Sequence, residues 1–287
     1  MLKTALLSLF AASAQALPSY DLQARGTQLV GHPPNNFGCK SDHNPVVVLH
    51  GLSANKHVDL NSLQYHLNEK GFCTFTLTYG AHKLFPLVGG IKPMAESAKE
   101  IAAFIEEVAS KTGKKVDLVG HSEGGVMTLY VPLTQSGIAN KIERTVALGP
   151  AIHGAKYYGL TDLAWLGGDL SASMVEKVLR TVGAPAIADM ATGGAVHKAF
   201  EKAKGNILQS GVKATVIMSK SDTLVEPETS IVDEKGVRNL YVQDYCPDDK
   251  VGHAGLAWDK GVWGIILNEL TGEYDNKTVA CEAGLPV

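Results

Sequence analysis

Gly120-His121-Ser122-Glu123-Gly124 holds the densest chemistry in the chain. A serine hydroxyl is a poor nucleophile, but a serine set between two glycines where a strand turns sharply into a helix is lifted clear of the backbone. Gly120 and Gly124 carry no side chains, so strand and helix can close around a strained Ser122. The flanks suit this turn. Lys115 to Val119 is a short apolar run with β-branched residues, and Val126 to Val131 reads as the apolar start of a helix. The chemistry on offer is acyl transfer through Ser122. It requires a base within hydrogen-bond reach and a carboxylate to orient that base.

With a nucleophile on such an elbow, the expected chain order is Ser, then Asp or Glu, then His. Of ten histidines only His153, His197 and His253 follow Ser122. His253 is the candidate base: it sits in Val251-Gly252-His253-Ala254-Gly255, a loop of small residues between the last strand and the last helix. His197 falls on a predicted helix, as a surface or cap residue, and His153 comes too early for the order. His50 and His121 precede Ser122 and read as structural residues at turns. The carboxylate belongs at the C-terminal end of a strand, so Asp222, in the loop leaving Ala214 to Met218, is the first choice and Glu226 the second. Asp248 and Asp249 share the loop of His253 and read as solvating it, with a calcium site as the alternative. Asp117 lies near the start of the elbow strand, the wrong end. An oxyanion formed on attack needs preorganised donors. The backbone N–H of Glu123 is one; the other is that of Leu52, in His50-Gly51-Leu52 after the first strand. No metal or cofactor is required.

The elements that must position these groups alternate. Strands are expected over Pro45 to Leu49, Phe72 to Thr78, the elbow strand, Ile142 to Leu148, Lys213 to Met218 and Val237 to Val242. Helices are expected over Val58 to Glu69, from Pro93 to Gly113, after the elbow, and over Gly261 to Leu270. This is an α/β chain with a mostly parallel sheet covered on both faces. Residues 149 to about 209 break the rhythm. They hold a helix near Ser173 to Val182, with Ser173 and Glu176 spaced as a capping box, and a second over Val196 to Lys204. Crossover helices with extra loops would account for them; a cap supplying an apolar acyl pocket is the sharper expectation.

Composition sets the class. The chain has 287 residues, 45% hydrophobic and 19% charged, with a formal net charge of −3. That balance carries no basic footprint for nucleic acid. Lys3, the apolar run Ala5 to Ala12 and Ala14-Gln15-Ala16 form a signal peptide over residues 1–16, too short to span a bilayer. A single domain is expected over 17–287, with 17 to about 30 as a loose arm or propeptide, and a secreted protein follows. Four cysteines, Cys39, Cys73, Cys246 and Cys281, suit two disulfides in that setting and admit three pairings. Cys39 and Cys73 are candidate neighbours at the first two strands, while Cys246 and Cys281 flank the last helix. Asn276-Lys277-Thr278 is an N-glycosylation acceptor.

Several blocks occur together and in order: Asn36-Phe37-Gly38-Cys39, Pro45 to Gly51, Cys73, Thr78-Tyr79-Gly80, Val116 to Ser122, Asp222 to Pro227 and His253-Ala254-Gly255-Leu256. Over about residues 35 to 281 the chain resembles the secreted class 2 lipases of fungi and actinobacteria, in the α/β-hydrolase superfamily. The resemblance implies a serine hydrolase acting on carboxylic esters, including acylglycerols, with Ser122, Asp222 and His253 catalytic and Leu52 and Glu123 forming the oxyanion hole. It also favours the pairs Cys39–Cys73 and Cys246–Cys281. One position departs: family members often carry Gln after the nucleophile, and an ionised Glu123 beside a developing oxyanion is unfavourable unless turned away, paired or protonated. The expected partner is a lipid or small ester, met in solution or at an oil–water interface. A short-chain esterase or polyester hydrolase is the alternative reading, and a non-catalytic binding module a remote one.

Overall fold

Six runs rich in β-branched and aliphatic residues become one sheet: β1 (Val46–Leu49), β2 (Thr74–Thr76), β3 (Val116–His121), β4 (Ile142–Leu148), β5 (Lys213–Met218) and β6 (Val237–Tyr241). Every pairing is parallel and the order is β2-β1-β3-β4-β5-β6. The computed structural model describes residues 34–84, 86–154, 183–274 and 279–286, all within the unit Gly31–Val287. The expected signal peptide and arm, the helix expected over Ser173 to Val182, and Asn276 lie outside the described residues.

A strand's side chains alternate between faces, so each strand feeds two cores. Val47, Leu49 and Leu118 pack on one side; Val46, Val48, Val119 and Val146 pack on the other. The first core is covered by α2 (Met94–Thr112) and α3 (Glu123–Thr134), and the second by α1 (Asn61–Glu69) and α7 (Lys260–Thr271). Burying one such aliphatic side chain contributes about 1.5–3 kcal/mol relative to exposure. The face of α2 carrying Ile101, Ile105 and Val108 is fully buried. Its start is capped from far away: Asp189 Oδ2 accepts the Met94 N–H at 2.9 Å, meeting one of the orphan donors of the first turn. Gly113, at φ 68°, ends it in the left-handed region that favours glycine. Asp259 caps α7 by accepting from Val262 N at 3.0 Å.

Two elements begin or end differently from expectation. The second strand is three residues, not seven: Phe72 N bonds back to Leu67 O, and the chain leaves the sheet after Thr76 to carry Tyr79 toward the site. On its open side Asn35 acts as a one-residue strand. Its N–H bonds Thr74 O, and its side chain both accepts from Thr76 N and donates to Thr76 O. The first helix starts at Asn61 rather than Val58, because Asp59 sits at φ 92°, outside helical geometry.

The described part of the long β4–β5 connection forms α4 (Pro185–Met190) and α5 (Ala195–Lys202). Ala186, Met190, Val196 and Phe200 join the first core, so this part is integral to the domain wall. β6 runs into the short α6 (Val242–Tyr245). Both disulfides pair as the resemblance favoured: Cys39–Cys73 ties the lead-in segment to the start of β2, and Cys246–Cys281 ties the tail to the end of α6. No helix among the described residues is long and apolar enough to cross a membrane.

Candidate active site

In an all-parallel sheet the loops after the strands gather along one edge, and the predicted residues lie on those loops. Ser122 occupies the sharp turn between β3 and α3 at φ 55°, ψ −119°, a conformation that costs a non-glycine residue of order 1–3 kcal/mol. Its N–H is fixed by Leu148 O at 2.8 Å. The flanking glycines are sterically required. A Cβ on Gly120 would lie 2.1 Å from Gly124 O, and one on Gly124 would lie 2.1 Å from Leu49 O.

The loops after β5 and β6 bring two more groups to this serine. His253 Nε2 stands 2.9 Å from Ser122 Oγ, and His253 Nδ1 stands 2.6 Å from Asp222 Oδ2. A carboxylate only accepts, so Nδ1 carries the proton and Nε2 is left to accept from the serine. Asp222 is itself held: its Oδ1 accepts the N–H groups of Leu224 and Val225 at 2.9 and 2.8 Å. The His253 loop is pinned to the β5 loop by Ser219 Oγ, which donates to Val251 O, and by Gln243, which donates to Ser219 Oγ and Asp249 O. Burial holds the His253 imidazole below its usual pKa; the bond to Asp222 opposes this and the charge of His121 adds to it.

The loop after β1 is braced against Tyr79. The phenol donates to His50 O at 2.6 Å, and the His50 and Tyr79 rings stack at 4.3 Å. His50 Nδ1 donates to Gly51 O at 2.8 Å, and burial lowers its pKa, so the ring is neutral. Among the described residues no acceptor takes the backbone N–H of Leu52 or of Glu123. The Glu123 side chain is fully buried, and both carboxyl oxygens lack a partner among the described residues. It points toward Gly90, where a Cβ would lie 2.4 Å from Oε2; Gly90, at φ 67°, therefore makes room for it. Burial, with the carboxylate of Asp189 in addition, pushes the Glu123 pKa well up and favours the neutral acid.

The other candidates stand elsewhere. Glu226 is exposed and does not reach His253. His153 Nε2 bonds Ile231 O, and His197 Nδ1 accepts from Gly193 N. Asp249 accepts the Val251 N–H at 2.8 Å and so shapes the His253 loop from within. Asp117 lies at the opposite end of β3, its pKa raised to about 6 by burial, with Asn44 and Arg144 opposing. Among the described residues no group of three His, Cys, Asp or Glu side chains could hold a metal ion.

Sequence reasoning missed one residue. Asp59 is buried beneath the elbow: Oδ1 lies 2.8 Å from His121 Nδ1, and Oδ2 accepts the Gly51 N–H at 2.7 Å. His121, expected to be structural, is Asp59's partner, and its Nε2 meets His253 O at 2.9 Å.

Residues 43–156, from the lead into β1 through the elbow and past β4, match the family model of lipase (class 2). Over that stretch the chain is similar to the class 2 lipases. Its fold is that of the α/β-hydrolase superfamily. It is similar to Aspergillus fumigatus lipase B, with TM-score 0.64 at 17% identity, over 90% of this chain and 61% of that one. It is also similar to a soluble variant of monoglyceride lipase from Saccharomyces cerevisiae, solved with a substrate analog, with TM-score 0.56 at 16% identity, over 92% of this chain and 100% of that one. LipS and LipT, described as metagenome-derived lipolytic enzymes, give a TM-score of 0.56 at 15% identity, over 81% of this chain and 96% of the matched one. These likenesses are of fold, and this chain spans less than two thirds of the length of the Aspergillus protein.

Proposed function

We propose that this chain hydrolyses carboxylic esters, lipid esters such as acylglycerols above all, with Ser122 as nucleophile, His253 as base and Asp222 as its orienting carboxylate. The observation that carries the reading is the unbroken chain Ser122–His253–Asp222, at 2.9 and 2.6 Å, on a serine held at positive φ. Ser122 Oγ attacks the ester carbonyl carbon while its proton passes to His253 Nε2. The N–H groups of Leu52 and Glu123 receive the oxyanion. The tetrahedral intermediate collapses, His253 returns the proton to the departing alcohol oxygen, and the acyl group stays on Ser122. Water, deprotonated by His253, then releases the carboxylic acid and restores the serine. A neutral Glu123 removes the objection that a negative charge beside Ser122 would oppose the oxyanion.

Lipid esters are favoured over short soluble esters by the loop before α2. Leu84 and Leu87 are 76% and 69% exposed, and the loop is bonded to the turn after β1 through Ser53 N to Gly89 O and Asn55 Nδ2 to Leu87 O. Apolar side chains held in water beside the oxyanion loop suit an oily surface. Export through a signal peptide over residues 1–16, leaving one α/β-hydrolase domain glycosylated at Asn276, completes the proposal. Two disulfides and no free cysteine support an oxidising compartment. Ser122→Ala should abolish hydrolysis of p-nitrophenyl butyrate and labelling by a fluorophosphonate, with the circular dichroism and melting curve unchanged. Folded wild-type protein that takes no label would overturn the reading.

A further inference from the structure

We propose that Asp59 and His121 form a permanent buried ion pair that locks the oxyanion loop to the base-bearing loop and fixes a positive charge beside His253, making both positioning residues for ester hydrolysis. The inference rests on the reaction proposed above and adds residues that the triad does not contain.

Stereochemistry is the starting point. His121 Nδ1 faces a carboxylate oxygen at 2.8 Å and Nε2 faces the backbone carbonyl of His253 at 2.9 Å. A carbonyl accepts only, so Nε2 must carry a proton. Nδ1 also carries one if Asp59 is ionised. Asp59 accepts the Gly51 N–H at 2.7 Å through its other oxygen, the environment of a carboxylate rather than an acid. The ring is then an imidazolium with both protons used. The charges facing each other agree. Burial would raise Asp59, yet the charge and hydrogen bond of His121 hold it below its usual pKa. Burial would lower His121, yet Asp59 holds it above the usual imidazole value, with the His253 carbonyl and the charge of Asp222 helping. On the β1 side the neutral His50 and the Tyr79 phenol also face Asp59. His253 is faced by Asp222 from the β5 loop, by His121 and Ser122 from the elbow, and by Asp59 from the loop before α1.

The backbone gives an independent sign that Asp59 is held in place. Its φ is 92°, and its main-chain oxygen accepts from Trp258 Nε1 at 2.8 Å. A strained, buried aspartate persists only where its surroundings over-determine it. The loops it joins are those that must agree to within a fraction of an ångström: Gly51 adjoins the oxyanion donor Leu52, and His253 is the base. The His121 and His253 ring centroids are 5.1 Å apart. A positive charge at that range disfavours a second one on His253, which keeps the base neutral, and the enzyme active, to lower pH.

Imidazole nitrogen NMR of the wild-type protein tests the charge without any assay of activity. One histidine, absent from His121→Gln spectra, should stay doubly protonated well above the usual imidazole titration. A neutral His121 at pH 7 overturns the proposal, and it does so whether or not His121→Gln folds. In kinetics on p-nitrophenyl butyrate, His121→Gln keeps an amide donor for the His253 carbonyl but removes the charge. Its kcat should fall roughly tenfold to a hundredfold with KM little changed. The acid limb of kcat/KM should move up by roughly half to one pH unit. A folded variant with the wild-type acid limb and kcat overturns the proposal, because a merely structural role would not move that limb. Wild-type protein without esterase activity would defeat the hydrolase reading instead, and the nitrogen spectra would still report the pair.

Discussion

Glu123→Gln should make the protein's stability less sensitive to alkali, with a slope set by one proton. The Glu123 carboxyl is fully buried, neither oxygen has a partner among the described residues, and burial together with Asp189 raises its pKa well above the ordinary value. The unfolded chain releases this proton near pH 4.3, and the folded chain retains it to a higher pH. Between those two points the native state binds one proton more than the unfolded state, so stability falls as pH rises. The loss is about 1.4 kcal/mol for each pH unit up to the native pKa. Glutamine has nothing to release. The amide brings its own cost for buried donors, roughly 1–3 kcal/mol, but that cost does not change with pH. Urea unfolding of both proteins at intervals from pH 5 to 9 reads the difference directly, and the contribution of Asp117, raised to about 6, cancels because both chains carry it. A difference in unfolding free energy that stays flat across this range would mean that Glu123 is ionised in the folded protein, and the account of its burial would fail.

Wild-type kcat/KM should keep its plateau to below the usual imidazole pKa. In the proposed reaction His253 must be neutral to accept the Ser122 proton, and its pKa is lowered by burial, so the rate falls only as pH drops through that lowered value; an acid limb above pH 6.5 would contradict this. Gly124→Ala should cost several kcal/mol of stability or prevent folding, because the new methyl would meet Leu49 O at 2.1 Å; a melting curve like that of the wild type would contradict the elbow geometry. Leu84→Asp with Leu87→Asp should lower the rate on emulsified triolein while sparing dissolved p-nitrophenyl butyrate; equal losses on both substrates would remove the loop's proposed role at the lipid surface.

What could be read from sequence follows the range of the interactions. β4 and β5 begin and end where their aliphatic runs do, because a strand covered on both faces needs only local hydrophobicity. Asp222 and His253, which the structure brings to Ser122, could be nominated because chain order and loop position restrict the choice to a few residues. β2 was overestimated because Leu77 and Thr78 look like strand while tertiary contacts draw Tyr79 away to His50. Asp59 could not be found. It is a lone acid in a loop, and its partner is 62 residues away with no spacing rule joining them. The same is true of Asp189, whose bond to Met94 crosses 95 residues. The side chain of Glu123 was legible as a problem of charge, but its solution depends on a space beside Gly90 that only folding creates.

Asn35 has a consequence beyond local geometry. A bare sheet margin offers a row of donors and acceptors onto which any extended peptide can zip. Here the margin is only Thr74–Thr76, and a single asparagine fills three of its outward sites with its amide and backbone, while Cys39–Cys73 anchors the lead-in segment close by. On the β2 side, a stray strand from a neighbouring molecule would have to displace bonds already made rather than extend an open ladder. If it is exported as proposed, beyond the reach of chaperones, the protein gains resistance to clumping from a residue that has no part in the proposed chemistry.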